Sequence, residues 1–386
     1  MEKALAIAAR VIGRSSRERP ADAALRDEFR KQAGLSRALS GDISRAVFAY
    51  FRWLGWLDRE KPMAEQITAA EELQQGFNQS PQSFSDEKLM ARAVPEWVAK
   101  EVEVSAAWLR ALQGEPQLWL RARPGQGSAL EAKLGECRVA AGGALAETME
   151  YRGVQDLFRT SAFQAGEFEV QDISSQLAGL LCDPKPGETW WDACAGEGGK
   201  LLHLSDLMQN RGLIWASDRA AWRLKKLKQR AARAKVFNYR AVRWDGSAKL
   251  PTKTKFDGVL VDAPCSGVGT WQRNPHARWT MTENDVRELS ELQAELLSRV
   301  AGSVKPGGKL VYAVCTLTQS ETVNVAGGFA GRHPEFQPWP VKTPWQPKAE
   351  ASAQHCFWPQ EQGGNGMFVA CWRRAAASSA HAGGKS

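Results

Sequence analysis

The chain has no long uncharged run of apolar residues and no CxxC pair. The first absence, together with a mean hydropathy of -0.41, argues against a membrane-spanning segment. The second argues against a structural zinc site. Seven cysteines, an odd number without regular spacing, do not fit a disulfide framework, so we expect a cytoplasmic protein. Residues 1–10 are too charged for a secretory signal, and the acidic residues soon after them disfavour an organelle transit peptide.

Positive charge is in excess. The net charge of +8 and a pI near 9.1 permit a polyanionic partner such as a nucleic acid. Eight basic residues fall in one short stretch, which consists of Arg219, Arg223, Lys225, Lys226, Lys228, Arg230, Arg233 and Lys235. Two interpretations of this stretch stay open, a solvated helix face and a nucleic-acid contact.

A length of 386 residues allows two or three domains, and the sequence patterns divide the chain accordingly. Residues 1–75 have helical spacing and predict a small helical bundle. Residues 76–87 are polar, contain turn residues and predict a linker. Residues 88–165 are mixed and predict a small α/β subdomain. In 166–374 strands and helices alternate, which predicts a mostly parallel α/β sheet, and the low-complexity tail at 375–386 is predicted to be disordered.

The finer pattern places individual elements. A helix is expected to open at Pro95 and to run past Trp108. Apolar and other residues then alternate over 118–123, which predicts a half-buried strand. Strands of the large sheet are predicted at 189–192, 213–217, 240–243, 258–261, 309–314 and 366–372, with residues 306–308 forming a turn before the fifth of these.

A glycine-rich turn follows the first strand of the large sheet. It consists of Cys194, Ala195, Gly196, Glu197, Gly198, Gly199 and Lys200. Glycines at such a turn let the backbone approach a ligand closely. Leu201 departs both from the phosphate-binding loop of nucleoside triphosphatases and from the GxGxxG pattern. A plain tight turn is the alternative.

Acidic residues end three further strands of this sheet. Asp218 ends the second strand, where a carboxylate can accept hydrogen bonds from ribose hydroxyls. Asp245 and Asp262 end the next two. Because the carboxyl ends of parallel strands form one crevice, these acids are expected to converge on a single site. Any one of them alone is more often a loop or helix-cap residue than a ligand contact.

Two cysteines are predicted to lie at the same edge. Cys265 stands in a turn with Pro264 and Ser266, and Cys315 stands just past the fifth strand. A thiol in such a place is well positioned to react. The usual fate of a free cysteine is burial in an apolar core, which we expect for Cys137, Cys182, Cys356 and Cys371.

These blocks together resemble the RsmB/NSUN-type RNA cytosine-5 methyltransferases. The resemblance rests on residues 192–200, 262–269 and 312–316, with further matches at 170–176, 273–279, 292–297 and 364–369. It is strong over 166–374, whereas the N-terminal helices only loosely resemble the NusB-like RNA-binding domain of bacterial rRNA members. Three local sequences depart from the family pattern, namely Gly196-Glu197, Val314-Cys315-Thr316 and Leu120-Arg-Ala-Arg123.

The resemblance implies a class I S-adenosylmethionine-dependent methyltransferase fold, Rossmann-like, behind helical and small α/β RNA-binding domains. It implies methyl transfer to C5 of a cytosine in RNA, with rRNA favoured by the helical N-terminal region. Cys315 would be the nucleophile, Cys265 would assist release, and Asp262 would lie near N3 of the base. S-adenosylmethionine would lie on residues 194–200, Asp218, Asp245 and Asp262.

Two smaller expectations accompany this mechanism. Lys200 is expected to lower the pKa of a thiol or to orient Asp262. The target base must be unstacked for attack from its ring face, and Trp271 and Trp279 are candidates to stack on it, although core packing is the commoner fate of tryptophan.

Other readings of the sequence compete. A tRNA substrate is one alternative, and a catalytically silent RNA-binding ribosome assembly factor is another. A DNA cytosine-5 methyltransferase would use the Pro-Cys thiol, Cys265, as its nucleophile, and a small-molecule methyltransferase would not need the N-terminal domains. We expect no metal, no membrane contact and a monomer.

Overall fold

The computed structural model describes residues 2–32, 34–140, 143–343, 345–346 and 348–376. Nearly all of the predicted disordered tail at 375–386 lies outside these residues. Among the described helices, none combines the length and the apolar character needed to cross a bilayer.

Four amphipathic helices form the N-terminal part. They are α1 (Glu2–Arg14), α2 (Ala21–Lys31), α3 (Arg37–Arg52) and α4 (Met63–Gln79). Helix α3 begins after Ser36, whose hydroxyl accepts a hydrogen bond from the backbone N–H of Leu39 and caps the helix. The apolar faces pack into one core that contains Ile7, Ile43 and Ile67.

The predicted linker at 76–87 begins inside a helix, because α4 continues to Gln79. The side chain of Phe77 explains the difference. Its ring is only 4% exposed, and it packs edge-on against Trp53 and Phe84. Burial of this aromatic ring outweighs the turn-forming residues around it.

The helix predicted to run from Pro95 past Trp108 is broken. After α5 (Asp86–Arg92) the chain forms α6 (Val98–Glu101) and α7 (Ala106–Gln113). Val102 is extended between them, and the Ser105 hydroxyl caps α7 by accepting from the Trp108 backbone N–H.

A small antiparallel sheet follows, with strand order β2-β3-β1-β4. Its elements are β1 (Leu118–Ala122), α8 (Gly127–Leu134), β2 (Cys137–Val139), β3 (Thr148–Tyr151), α9 (Ser161–Gln164) and β4 (Phe168–Val170). Strand β4 pairs with β1, so residues 168–170 belong to the small sheet although they were expected in the methyltransferase domain.

Strand β1 is buried on both faces, and the expected half-buried alternation is wrong. Trp119 is 8% exposed and Arg121 is 3% exposed. The Arg121 guanidinium is buried because it forms an ion pair with Asp206 of the following domain. Sequence alternation could not reveal a charge partner so distant in the chain.

The large sheet has the strand order β10-β12-β9-β8-β5-β6-β7, with β11 paired to β12. Its strands are β5 (Thr189–Asp192), β6 (Leu213–Asp218), β7 (Tyr239–Arg243), β8 (Phe256–Asp262), β9 (Val304–Val314), β10 (Phe336–Pro338), β11 (Gln354–Phe357) and β12 (Met367–Arg374). Its helices are α10 (Ile173–Cys182), α11 (Gly199–Leu207), α12 (Ala221–Arg233), α13 (Pro275–Thr280), α14 (Glu283–Ala301), α15 (Val323–Arg332) and α16 (Pro359–Gln362).

The pairings among β5 to β9 are parallel, which confirms the predicted α/β fold with its mostly parallel sheet. All six predicted strands are present. Most of their ends differ by one or two residues, and the largest difference is at β9, which begins at Val304 and includes the expected turn at 306–308, where Gly307 has φ of 77°. Strand β5 has β8 on one side and β6 on the other, so the ligand crevice is expected at its carboxyl end.

Helix α13 anchors the N-terminal part to this domain. Its Arg278 is fully buried, and its guanidinium donates to the backbone carbonyls of Arg52, Ala93 and Leu112. These three carbonyls come from separate segments, so one side chain connects all of them to the domain with the large sheet.

Candidate active site

The glycine-rich turn opens onto a cleft of about 500 Å³ at the carboxyl ends of β5, β6 and β8. Gly196 has φ of 54°, and a Cβ added there would meet no described atom within 4 Å. Gly198 also has a positive φ, 88°, but a Cβ there would lie 2.8 Å from Leu227 of α12. Gly196 therefore leaves space in the cleft, whereas Gly198 permits close helix packing.

Most of the predicted cofactor contacts do line this cleft. They are Cys194, Ala195, Gly196, Glu197, Gly199, Lys200, Asp218, Asp245 and Asp262. Gly198 is the exception, since the structure places it at the start of α11 and against α12.

Asp218 joins the turn to the end of β6. One carboxylate oxygen accepts from the Gly196 backbone N–H at 3.1 Å, and the other accepts from the Ala220 N–H at 2.7 Å. Asp245 follows β7 and is held by Ser247, whose hydrogen bonds lower the pKa of this exposed carboxyl. Both acids thus have fixed orientations beside the glycine-rich turn.

Cys265 and Cys315 are brought together, with 3.3 Å between their sulfur atoms. A hydrogen bond from the Cys265 thiol lowers the pKa of Cys315, and the positive charges of Lys200 and Arg273 act in the same direction. The shared hydrogen bond raises the pKa of Cys265 instead, and burial and the charge of Glu321 add to this rise. Cys315 is therefore the thiol that ionises first.

Lys200 connects the thiols to the acids. Its ammonium donates to the Asp262 carboxylate at 2.7 Å, and the lysine side chain is only 9% exposed. Burial opposes its charge, but Asp262, Cys315 and Asp192 together outweigh burial and raise the pKa of Lys200. Lys200 thus lies in contact with Asp262 and with its charge near Cys315, the two groups on which its predicted roles would act.

Asp192 was not selected as a site residue from the sequence. It ends β5 and is fully buried. Burial and the nearby negative charge of Asp262 raise the pKa of Asp192 to about 8. Its position at the end of the central strand could have indicated from the sequence that it lies near the site. Its burial, which raises the pKa, depends on the surrounding fold.

Other cleft residues were also missed. Arg219 and Arg223 follow Asp218 along the chain and line the cleft, as do Ser175, Trp244, Leu292 and Leu296. The two arginines carried a sequence signal, because they belong to the basic stretch. Leu292 and Leu296 lie one turn apart on α14, whereas Ser175 is on α10 and Trp244 follows β7, and no local pattern indicates that these three segments meet.

The basic stretch forms α12, and its charges divide between two uses. Arg230 and Arg233 form ion pairs with Glu169, which is 2% exposed in the small sheet. Toward the start of the helix Trp222 is 55% exposed. The cationic groups of Arg223 and Lys226 lie over its ring, 5.3 Å and 5.0 Å from the centroid. One end of the helix therefore fastens two sheets together, and the other presents an aromatic ring with cations.

The departure at Glu197 is compensated locally. Its carboxylate pairs with Lys226 at 2.9 Å, so the added negative charge at the cleft faces a neighbouring positive one. Both side chains are partly exposed to water, which weakens the pair.

Two aromatic candidates for base stacking have structural roles instead. Trp271 is fully buried among apolar residues. The indole N–H of Trp279 donates to the Phe51 carbonyl at 2.6 Å, which joins α13 to α3. Both tryptophans are close in sequence to Pro264 and Cys265, but their rings do not line the cleft.

The expectation for the remaining cysteines holds for two of the four. Cys182 and Cys371 are buried in the core of the large sheet. Cys137 is half-buried and Cys356 is exposed, because each lies on a strand at or near a sheet edge.

Comparison with known proteins identifies relatives. A family model described as 16S rRNA methyltransferase RsmB/F matches residues 179–373. A probable ribosomal RNA small subunit methyltransferase B from Synechocystis is 31% identical over 358 residues, covering 89% of this chain and 75% of the relative. A protein of the same description from Bacillus subtilis is 39% identical over 181 residues, 46% of this chain and 40% of the relative.

The matching part of some relatives is shorter. The ribosomal RNA small subunit methyltransferase B of Vibrio vulnificus is 34% identical over 186 residues, 47% of this chain and 43% of the relative. The chain therefore spans less than half the length of two of these three relatives.

Solved structures share the fold. The crystal structure of PH0851 superimposes with a TM-score of 0.78 at 24% identity, covering 97% of this chain and 99% of that one. A methyltransferase homolog from Pyrococcus horikoshii has 27% identity and a TM-score of 0.59, covering 70% and 90% of the two chains. NSun6 from Pyrococcus horikoshii, solved with SFG, has 19% identity and a TM-score of 0.61 over 70% and 94%.

Proposed function

The chain belongs to the 16S rRNA methyltransferase RsmB/F family, and from this premise we propose that it transfers a methyl group from S-adenosylmethionine to C5 of a cytosine in rRNA. The observation that carries the proposal is the pair of thiols 3.3 Å apart beside the cleft. A methyl transfer to a heteroatom would need no such pair, whereas an unreactive ring carbon needs covalent activation.

The cleft suits the cofactor. Its volume of about 500 Å³ and the open space at Gly196 accommodate a nucleoside against the backbone. Asp218 is placed at a strand end to accept from ribose hydroxyls, and Asp245 and Arg219 flank it. When bound there, S-adenosylmethionine supplies an electrophilic methyl group.

Cys315 starts the reaction as a thiolate. Its sulfur forms a bond to C6 of the cytosine, and the C5–C6 electron pair becomes available at C5 to take up the methyl group. Asp262, oriented by Lys200, is positioned to interact with the N3 side of the ring and so to favour the addition. The proton on C5 then leaves, the C5–C6 double bond re-forms, and the bond from C6 to Cys315 breaks.

Cys265 assists this last step. Its thiol donates a hydrogen bond to the Cys315 sulfur, which stabilises a thiolate both before attack and on departure. The net change replaces one hydrogen on C5 by a methyl group and releases one proton. The pKa order of the thiols favours this assignment over the DNA-enzyme arrangement, in which Cys265 would attack.

RNA trapping tests the assignment. Wild type and the variants Cys265→Ala, Cys315→Ala and Cys356→Ala would each be incubated with S-adenosylmethionine and total cellular RNA, then separated on denaturing gels. We expect a covalent protein–RNA band to accumulate only in Cys265→Ala, because release is impaired there. Cys356→Ala, which alters an exposed cysteine away from the cleft lining, is the control and should match wild type.

Each other outcome selects an alternative. Trapping by Cys315→Ala would reverse the roles of the thiols. Absence of both trapping and methyl transfer would favour the silent ribosome assembly factor. Sequencing the trapped RNA separates rRNA from tRNA and identifies the cytosine.

A further inference from the structure

A buried carboxylate lies between the two thiol-bearing loops. Glu321 follows β9 and is 0% exposed. It accepts from the Ser266 backbone N–H at 2.8 Å, from Gln293 at 2.9 Å and from the Thr318 hydroxyl at 2.8 Å. The hydroxyls of Ser266 and Thr316 also contact one of its oxygens.

These contacts fix the backbone on both sides of Cys265. Ser266 comes directly after Cys265 and donates twice to Glu321. Pro264 comes directly before it, and its carbonyl accepts from the same Gln293 amide that donates to Glu321, at 2.9 Å. The position of Cys265 therefore depends on one carboxylate and one amide.

The same carboxylate reaches the other loop. Thr316 comes directly after Cys315, and its hydroxyl lies 3.2 Å from Glu321 and 2.9 Å from the Ser266 hydroxyl. The Tyr312 hydroxyl donates to the Glu321 backbone carbonyl at 2.6 Å, which fixes the start of the segment to β9. Both cysteines are thus neighbours of residues bonded to Glu321.

We propose that Glu321 is a positioning residue that holds the two thiol-bearing loops in reacting geometry and, through its negative charge, keeps the shared proton on Cys265 so that Cys315 is the nucleophile. The methyl-transfer consequence rests on the function proposed above, but the effect on the thiols does not. Burying a carboxylate is costly unless its oxygens are hydrogen-bonded, and three of the five hydrogen bonds here come from Ser266 and Thr316, which directly follow the two cysteines.

The charges around the pair are asymmetric. Cys265 faces Cys315 and Glu321, and the Tyr312 hydroxyl is also nearby. The groups that face Cys315 are Cys265, Asp262, Lys200 and Arg273. Two cations thus lie on the Cys315 side, where Asp262 opposes them, and Glu321 lies on the Cys265 side. Removing the Glu321 charge lowers the pKa of Cys265 and weakens the preference for ionising Cys315.

Glu321→Gln tests this with little change in side-chain size. Alkylation by iodoacetamide would be followed for each cysteine by peptide mass spectrometry between pH 6 and 10, without RNA. We expect the alkylation rate of Cys265 across this range to rise roughly tenfold, as for a thiol whose pKa is lowered by one unit. Methyl transfer to rRNA should fall roughly tenfold as the loop contacts are lost.

Glu169→Gln is the matched control, because Glu169 is an equally buried glutamate that pairs with Arg230 and Arg233 instead of the thiol loops. It should lower the melting temperature and leave both alkylation profiles unchanged. Equal profiles in Glu321→Gln and wild type, with the variant folded, would overturn the proposal.

Ser266→Ala covers the case in which Glu321→Gln does not fold. It removes the hydroxyl that contacts Glu321 and Thr316 and keeps the Glu321 charge, so methyl transfer should fall while the alkylation rate of Cys265 does not rise. Wild-type transfer in Ser266→Ala together with an unfolded Glu321→Gln would also overturn the proposal. If wild type itself transfers no methyl group, the proposed function fails, yet the alkylation profiles still decide the role of Glu321.

Discussion

At the scale of single residues, the two thiols show how surroundings divide one chemistry into two roles. Cys265 and Cys315 are the same side chain, both partly buried, with sulfur atoms 3.3 Å apart. Glu321 lies near one, and Lys200 lies near the other. These surroundings raise the pKa of Cys265 and lower that of Cys315, which favours the proposed assignment of Cys315 as the nucleophile.

Lys200→Met should move the pH dependence of methyl transfer. Lys200 lowers the pKa of Cys315, so its removal raises that pKa and the thiolate forms only at higher pH. The acid limb of the kcat/KM profile should shift upward by roughly one unit, in the usual range for a neighbouring opposite charge. An unshifted profile in an enzyme that still turns over would exclude the pKa role and leave only the contact to Asp262.

The control for this measurement is Lys185→Met. Lys185 is exposed and pairs with Asp183, so its removal should leave the pH profile in place. Comparing profiles, and not single rates, separates a change in thiol ionisation from a loss of cofactor affinity.

At the scale of elements, strand β1 and helix α11 are joined by a buried ion pair. Asp206 is 5% exposed at its side chain and binds both Arg121 and Arg123. This ion pair attaches the small sheet to the domain that contains the cleft. Its partners are far apart in sequence, which is why the strand pattern alone suggested a half-buried strand.

Asp206→Asn should lower the free energy of unfolding by about 3–5 kcal/mol, because it leaves Arg121 buried without its anion. Urea denaturation measures the change. Glu295→Gln removes an exposed carboxylate that pairs with Arg299 one turn along α14 and should cost at most about 1 kcal/mol. A similar small loss in both variants would show that the buried pair does not hold the small sheet.

Helix α12 presents its own testable surface. Trp222 is exposed with two cations over its ring, and Arg223 next to it lines the cleft. Trp222→Ala should weaken RNA binding by roughly 1–3 kcal/mol, the range for an aromatic that stacks on a base. Fluorescence anisotropy with a labelled rRNA fragment measures this.

Phe237→Ala provides the comparison, because Phe237 is 76% exposed beyond the end of α12 and none of the cationic groups that the structure describes lies over its ring. Its RNA affinity should match wild type. Equal affinities in all three proteins would mean that the start of α12 is a solvated helix face.

At the scale of the whole molecule, the N-terminal helices depend on α13. Arg278 is buried, and burial lowers its pKa to about 9. It bonds three carbonyls of the N-terminal part. Helix α13 is also close in sequence to Pro264 and Cys265. One segment of the chain therefore contains both a site cysteine and the residue that holds the N-terminal part.

Arg278→Leu should loosen the N-terminal part, since three charge-assisted hydrogen bonds are lost at about 1.5–3 kcal/mol each before relaxation. Limited proteolysis should cut faster within the first 117 residues. Arg287→Leu is the control, because Arg287 is exposed on α14 and contacts Asn284 one turn away. Identical cleavage of the two variants would contradict an anchoring role.

Local patterns were enough to predict the parallel sheet, the glycine-rich turn and the strand-end acids and thiols. Strand periodicity and turn residues act over a few neighbours, so six strands were found with small errors at their ends. The carboxyl ends of parallel strands converge by geometry, which is why Asp218, Asp262 and Cys315 could be expected at one cleft.

Contacts between distant segments were decided only by the tertiary structure. The burial of Arg121 requires Asp206, the continuation of α4 requires partners for Phe77, and the role of Glu321 requires both cysteine loops to be in place. Charge, burial and hydrogen bonding act through space, and a linear pattern does not record which residues meet. For that reason most of the residues that line the cleft could be predicted from the sequence, whereas the residues that hold them in position were visible only once the chain was folded.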